Sequence, residues 1–119
     1  MNCVLILEDE PFIALDLQYA CEDAELRAVM ARTSRQALDA LTANPDIDGA
    51  VLDVNLGRGE TCEAVAQSLR ERGIPFVLHT GDLNRAGESL RSIDAPILAK
   101  PVAAAEVIAR LTELGREAD

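Results

Sequence analysis

The chain has 119 residues, enough for one hydrophobic core and too few for two domains of ordinary size. Apolar residues make up 49% of it, yet no unbroken apolar run approaches the roughly 18 residues of a membrane span. The amino terminus enters a strand-like run without the basic and then apolar order of a signal peptide, so a cytoplasmic protein with no membrane partner is expected. Eleven basic against twenty-one acidic residues give a net charge of −10, which repels nucleic-acid phosphates and argues against direct nucleic-acid binding.

The run CVLIL, 3 to 7, is apolar on consecutive residues, as a strand covered on both faces tends to be. A helical pattern follows from Pro11 to about Ala24, with Pro11 suited to a first turn. LRAVM, 26 to 30, is a weaker strand, and a second helix runs from Ser34, a residue able to cap, to Ala43. AVL leads into Asp53 as the third strand, followed by a helical pattern from Thr61 to Arg72. PFVLH, 75 to 79, makes the fourth strand, and a less regular helical stretch lies near Arg85 to Arg91. PILA, 96 to 99, makes the fifth, and the last helix spans Ala103 to about Arg116. Gly73 and Gly115 lie where helices stop. With no repeat, low-complexity segment or linker, residues 1–119 form one domain. Five βα units imply an α/β fold, a parallel sheet with helices on both faces. Cys3, Cys21 and Cys62, odd in number and widely spaced, are expected to be packed, reduced thiols.

In such a sheet the functional crevice lies beyond the carboxyl ends of the strands. Glu8, Asp9 and Glu10 follow the first strand, Asp53 closes the third, Thr80 the fourth and Lys100 the fifth. Carboxylates gathered at one edge repel one another unless a cation intervenes. Oxygen ligands with solvent access suit Mg²⁺, which keeps several waters and often binds one or two carboxylates plus a phosphate. A carboxylate is also a nucleophile toward phosphoryl groups, a threonine hydroxyl can donate to a phosphoryl oxygen, and a lysine can neutralise its charge. The set is chemically sufficient for phosphoryl transfer to an aspartate.

From LILEDE through VLDVN and VLHTG to LAKP, the chain resembles the receiver domain of bacterial two-component response regulators. The resemblance implies a doubly wound, flavodoxin-like five-stranded parallel sheet of order 2-1-3-4-5, and phosphorelay signalling with a sensor histidine kinase or histidine phosphotransfer protein as donor. It makes Glu8 and Asp9 the acidic pair that helps hold Mg²⁺, and Asp53 the phosphoacceptor and a metal ligand. The backbone carbonyl of Asn55 supplies a further ligand, Thr80 is the hydroxyl residue, and Lys100 is the lysine that pairs with the phosphoryl group. Lys100-Pro101 matches a bond that is typically cis in the family. PFVLHTG is similar to the PFxFATG pattern of stand-alone alphaproteobacterial receivers. Ile97 replaces an aromatic common on strand five, and GRGET replaces the usual Pro and Gly after the phosphoacceptor. With no output domain after Asp119, the signal is expected to leave through a downstream protein or through phosphate itself.

On the first helix, at about 100° per residue, Ile13, Leu17, Ala20 and Ala24 form the expected core stripe. Phe12, Leu15 and Tyr19 fall opposite, and are expected to dock the kinase or phosphotransfer helix. Alternation points His79 away from Thr80's direction, which favours a packing role. Asp82 could influence the water that hydrolyses the acyl phosphate, while Arg58 and Arg85 soften the negative field. Ile97 is too stiff and small for an aromatic swing, so switching is expected in residues 81 to 91, where Gly81 and Gly87 permit unusual conformations. Three other functions stay open. An aspartate-nucleophile phosphatase of the haloacid dehalogenase type needs a second acid where Asn55 stands. A pseudo-receiver would bind without phosphorylation, and a phosphate sink would compete for a kinase without relaying.

Overall fold

The computed structural model describes residues 1–57, 59–81 and 93–118. Arg58, Asp82, Arg85 and Gly87, the helical pattern near Arg85 to Arg91, and all of the switching segment but Gly81 lie outside the described residues. Strands β1 (Cys3–Leu7), β2 (Arg27–Ala31), β3 (Gly49–Asp53), β4 (Phe76–Thr80) and β5 (Ile97–Ala99) pair in parallel in the order β2-β1-β3-β4-β5. Helices α1 (Pro11–Asp23), α2 (Ser34–Ala43), α3 (Glu63–Glu71) and α4 (Ala104–Ala118) cover the sheet.

Strand alternation sorts the core into two layers. Cys3, Leu5 and Leu7 of β1 with Ala50 and Leu52 of β3 meet Ala37 and Leu41 of α2 and Val65, Ala66 and Leu69 of α3. Val4, Ile6, Val51 and Val77 face the other way, onto Leu17 and Cys21 of α1 and Val107, Ile108 and Leu111 of α4. Side chains such as Leu5, Leu52 and Leu78 are fully buried, each adding about 1.5–3 kcal/mol of transfer free energy. Both faces being covered explains why the central strands read as unbroken apolar runs rather than alternating ones. All three cysteines are buried free thiols.

Several boundaries differ from expectation for physical reasons. On α1 the buried positions are Leu17 and Cys21, while Ala24 is exposed at the carboxyl cap. Thr33, not Ser34, caps α2, its side chain accepting from Gln36 N–H at 3.1 Å. The third helix begins at Glu63 because Thr61 pairs with Asn55 instead. Gly73, at φ 70°, ends α3 as expected. Gly115 does not end a helix: α4 runs through it, and a Cβ there would lie 2.8 Å from Met1 Cε. The glycine packs closely on the end of the Met1 side chain, which would have to shift to admit a Cβ.

Candidate functional site

The expected strand ends converge. Glu8, Asp9 and Asp53 each offer a carboxylate oxygen, all within 4.8 Å of one another. Glu10 does not join them; its Oε2 accepts from Ile13 N–H at 2.9 Å and caps α1. Lys100 reaches in from the end of β5, its Nζ 2.8 Å from Glu8 Oε1 and 3.5 Å from Asp53 Oδ2. Its N–H also donates to Thr80 O at 2.7 Å, which fixes the lysine beside the end of β4, and the Lys100-Pro101 bond is cis. Thr80 is buried at the same edge.

Charge is poorly balanced in this cluster. Burial, then the hydrogen bond to Glu8 and its negative charge, push the Asp53 carboxyl up to about 8 from an ordinary 3.8; Asp9 adds to the rise and only Lys100 opposes it. Burial works against ionisation of Glu8 as well, but hydrogen bonds with Asp53 and Lys100 outweigh it and hold Glu8 below its ordinary value. Burial and the Glu8 charge thus favour the protonated form of Asp53, while Glu8 favours the ionised one. Burial disfavours the Lys100 ammonium, yet its bond to Glu8 and the charge of Asp53 raise its pKa overall.

Beyond Asp53 the chain folds back on itself through Gly57 and Gly59, at φ 79° and 76°. Cys62 N–H donates to Val54 O at 3.3 Å and Leu56 N–H to Glu60 O at 3.0 Å. These bonds flank the antiparallel Asn55–Thr61 bridge, which is thus a non-hydrogen-bonded pair. The ladder spends neither the N–H nor the C=O of Asn55. A Cβ at Gly57 would lie 3.7 Å from Asp9 Oδ2, so this hairpin borders the acidic cluster. Three close carboxylates, one kept protonated for want of positive charge, and a nearby carbonyl unspent by its ladder are a donor set that fits a hard dication.

No family model matches the sequence, and no curated protein does. Solved structures do match. The response regulator receiver protein from Sinorhizobium medicae WSM419 is 25% identical, with TM-score 0.86 over 99% of this chain and 97% of that one. SdrG from Sphingomonas melonis Fr1 is 35% identical, with TM-score 0.75 over 98% and 97%. The chain belongs to the response regulator receiver domains. A CheY-like receiver domain from Methylobacillus flagellatus, 24% identical with TM-score 0.77 over 96% and 98%, has the same fold.

In this receiver Phe12, Leu15 and Tyr19 stand on the open face of α1, 77%, 39% and 54% exposed, with nothing folding over them among the described residues. Ile97 on edge strand β5 is also exposed. His79 points away from Thr80's face, as alternation requires. It lines a cavity of about 240 Å³ with Ile13, Asp16 and Leu17 of α1 and with Lys100, Pro101, Val102 and Ala104. Neither ring nitrogen has a hydrogen-bond partner among the described residues; burial, then the Lys100 charge, lower its pKa. Sequence reasoning missed the contact of Glu60 with Ser34: a loop acid and the first backbone N–H of a distant helix carry no pattern that pairs them.

Proposed function

We propose that Asp53 of this receiver accepts a phosphoryl group from the phosphohistidine of a sensor histidine kinase or histidine phosphotransfer protein. An Asp53 carboxylate oxygen forms the new bond to phosphorus, the phosphorus–nitrogen bond breaks, and its electron pair stays on the imidazole. Glu8, Asp9, Asp53 and the Asn55 carbonyl would hold Mg²⁺, which would supply positive charge for the phosphoryl oxygens. Asp53 must first lose its proton, which would leave to solvent as the dication takes its place. Lys100, held by Thr80 O at 2.7 Å, balances charge on the acceptor side. The Thr80 hydroxyl donates to a phosphoryl oxygen.

The single observation that carries this reading is the convergence of Glu8, Asp9 and Asp53 on one point with Lys100 against them. A haloacid dehalogenase-type phosphatase is disfavoured, because the position two residues past the nucleophile is Asn55, which has no proton to transfer. The protein acts as a switch rather than a turnover enzyme: the phosphorylated form binds a downstream protein differently. Phe12, Leu15 and Tyr19 are the donor's docking surface, and PFVLHTG resembles the PFxFATG pattern. Among the described residues no helix is long and apolar enough to cross a membrane.

Incubation with acetyl phosphate and Mg²⁺, followed by intact-mass and peptide analysis, tests the reading. One added phosphoryl group on Asp53 is expected, absent from Asp53→Asn. Labelling elsewhere, or undiminished labelling of the variant, refutes the assignment.

A further inference from the structure

The hairpin that carries Asn55 has an anchor outside itself. Ser34 is the first residue of α2, so its N–H has no acceptor within the helix. Glu60 Oε1 accepts that N–H at 2.6 Å. A carboxylate is favoured there by the positive end of the helix dipole, and the bond is charge-assisted. Ser34 Oγ adds a second tie, donating to Thr61 O at 2.9 Å. Glu60 also closes the hairpin with its own backbone, through Glu60 N–H to Gly57 O at 2.9 Å and Leu56 N–H to Glu60 O at 3.0 Å. One residue thus shapes the turn and fastens it to the amino terminus of a helix outside the hairpin.

We propose that Glu60 is a positioning residue for the divalent cation: by locking the hairpin to the amino terminus of α2 it fixes where the Asn55 carbonyl faces relative to Glu8, Asp9 and Asp53. The inference rests on the site being a Mg²⁺ site. Two glycines give the hairpin backbone freedom that would otherwise let this carbonyl wander, and a ligand held loosely gives up affinity when it is ordered. Coupling is reciprocal, so the cation must tighten the Glu60–Ser34 bond as much as that bond tightens cation binding.

Mg²⁺ titration of the ¹⁵N-labelled chain by NMR tests this with three variants. Glu60→Ala removes bond and charge, and Glu60→Gln keeps an acceptor oxygen without the charge. Ser34→Pro keeps the charge and removes the donor. Proline is tolerated at a first helical position, and Thr33 at φ −132° and ψ 160° already has the backbone that precedes proline. Glu60→Ala and Ser34→Pro are expected to weaken Mg²⁺ binding by about tenfold, and Glu60→Gln to stay within about twofold of wild type. Mg²⁺ should slow hydrogen exchange of the Ser34 amide in the wild type. Wild-type affinity in Ser34→Pro with a loss in Glu60→Gln would make Glu60 only a distant charge and overturn the proposal, as would a Ser34 amide indifferent to Mg²⁺. A wild-type chain that binds no Mg²⁺ would instead remove the metal reading beneath it.

Discussion

Replacing Asp53 by asparagine should make the metal-free protein more stable, not less, in proportion to pH. In the fold Asp53 is 5% exposed and its carboxyl is pushed from an ordinary 3.8 up to about 8. A carboxyl whose pKa is raised by folding imposes no cost below 3.8, where both states are protonated. The cost grows as pH rises and levels off above about 8, where both are ionised. At about 1.36 kcal/mol per pH unit, that gap sets a ceiling on the order of 5 kcal/mol. Glu8 moves in the opposite direction and offsets part of it. The net gain for Asp53→Asn at pH 8 is therefore expected to be about 2–4 kcal/mol, falling by more than half at pH 5. Urea unfolding followed by circular dichroism, with a chelator at both pH values, measures it. Saturating Mg²⁺ should stabilise the wild type more than the variant and narrow the difference. A variant no more stable than wild type at pH 8 would refute the charge balance assigned to this cluster.

Phe12→Ala with Tyr19→Ala should slow phosphoryl transfer from the cognate kinase about tenfold or more. Labelling by acetyl phosphate should be unchanged and unfolding should shift by no more than about 1 kcal/mol, since both rings are exposed; equal loss in both labelling assays would mean the rings support the core. His79→Leu removes two buried nitrogens that lack partners among the described residues and should be neutral or stabilising by about 1–2 kcal/mol. Because folding lowers the His79 pKa, the histidine's own contribution should fall as pH drops through 6.5, so the gain from the leucine variant over wild type should grow toward lower pH. A variant clearly less stable at every pH in urea unfolding would show that the ring fills the core.

Much of this was legible because it is periodic. The apolar runs of β1, β3 and β4 mark strands covered on both faces, and the residue closing each run falls at the functional edge by topology alone. Glu8, Asp9, Asp53, Thr80 and Lys100 could be placed together from that rule, and the contacts among them follow. What failed to show was tertiary. Glu10 follows the first strand with Glu8 and Asp9, but helix capping claims it. Gly115 reads as a stop, but the helix continues through it, against Met1 from the other end of the chain. Thr61 reads as helical, but pairing across a two-glycine hairpin is a local choice that composition does not announce. The Glu60–Ser34 bond joins a hairpin to a helix terminus far away in sequence, which hides it.

The charge arithmetic of the edge explains why a protein would keep so unfavourable a cluster. Among the described residues three carboxylates meet one ammonium, an excess of negative charge that favours a proton on Asp53. Lys100 sits closer to Glu8 than to Asp53, 2.8 Å against 3.5 Å, so its charge is spent on the residue that stays ionised. Removing that lysine would leave Glu8 buried without a cation, while replacing Glu8 would leave Lys100 to Asp53 alone and lower the acceptor's pKa. Affinity for a dication at neutral pH is reduced by the need to expel a proton, by about tenfold for each pH unit below the Asp53 pKa. If Asp53 is the phosphoacceptor, as proposed, the same charges would make its carboxylate more available when a cation arrives, which would tie phosphorylation to metal binding through the electrostatics of Glu8, Asp9, Asp53 and Lys100.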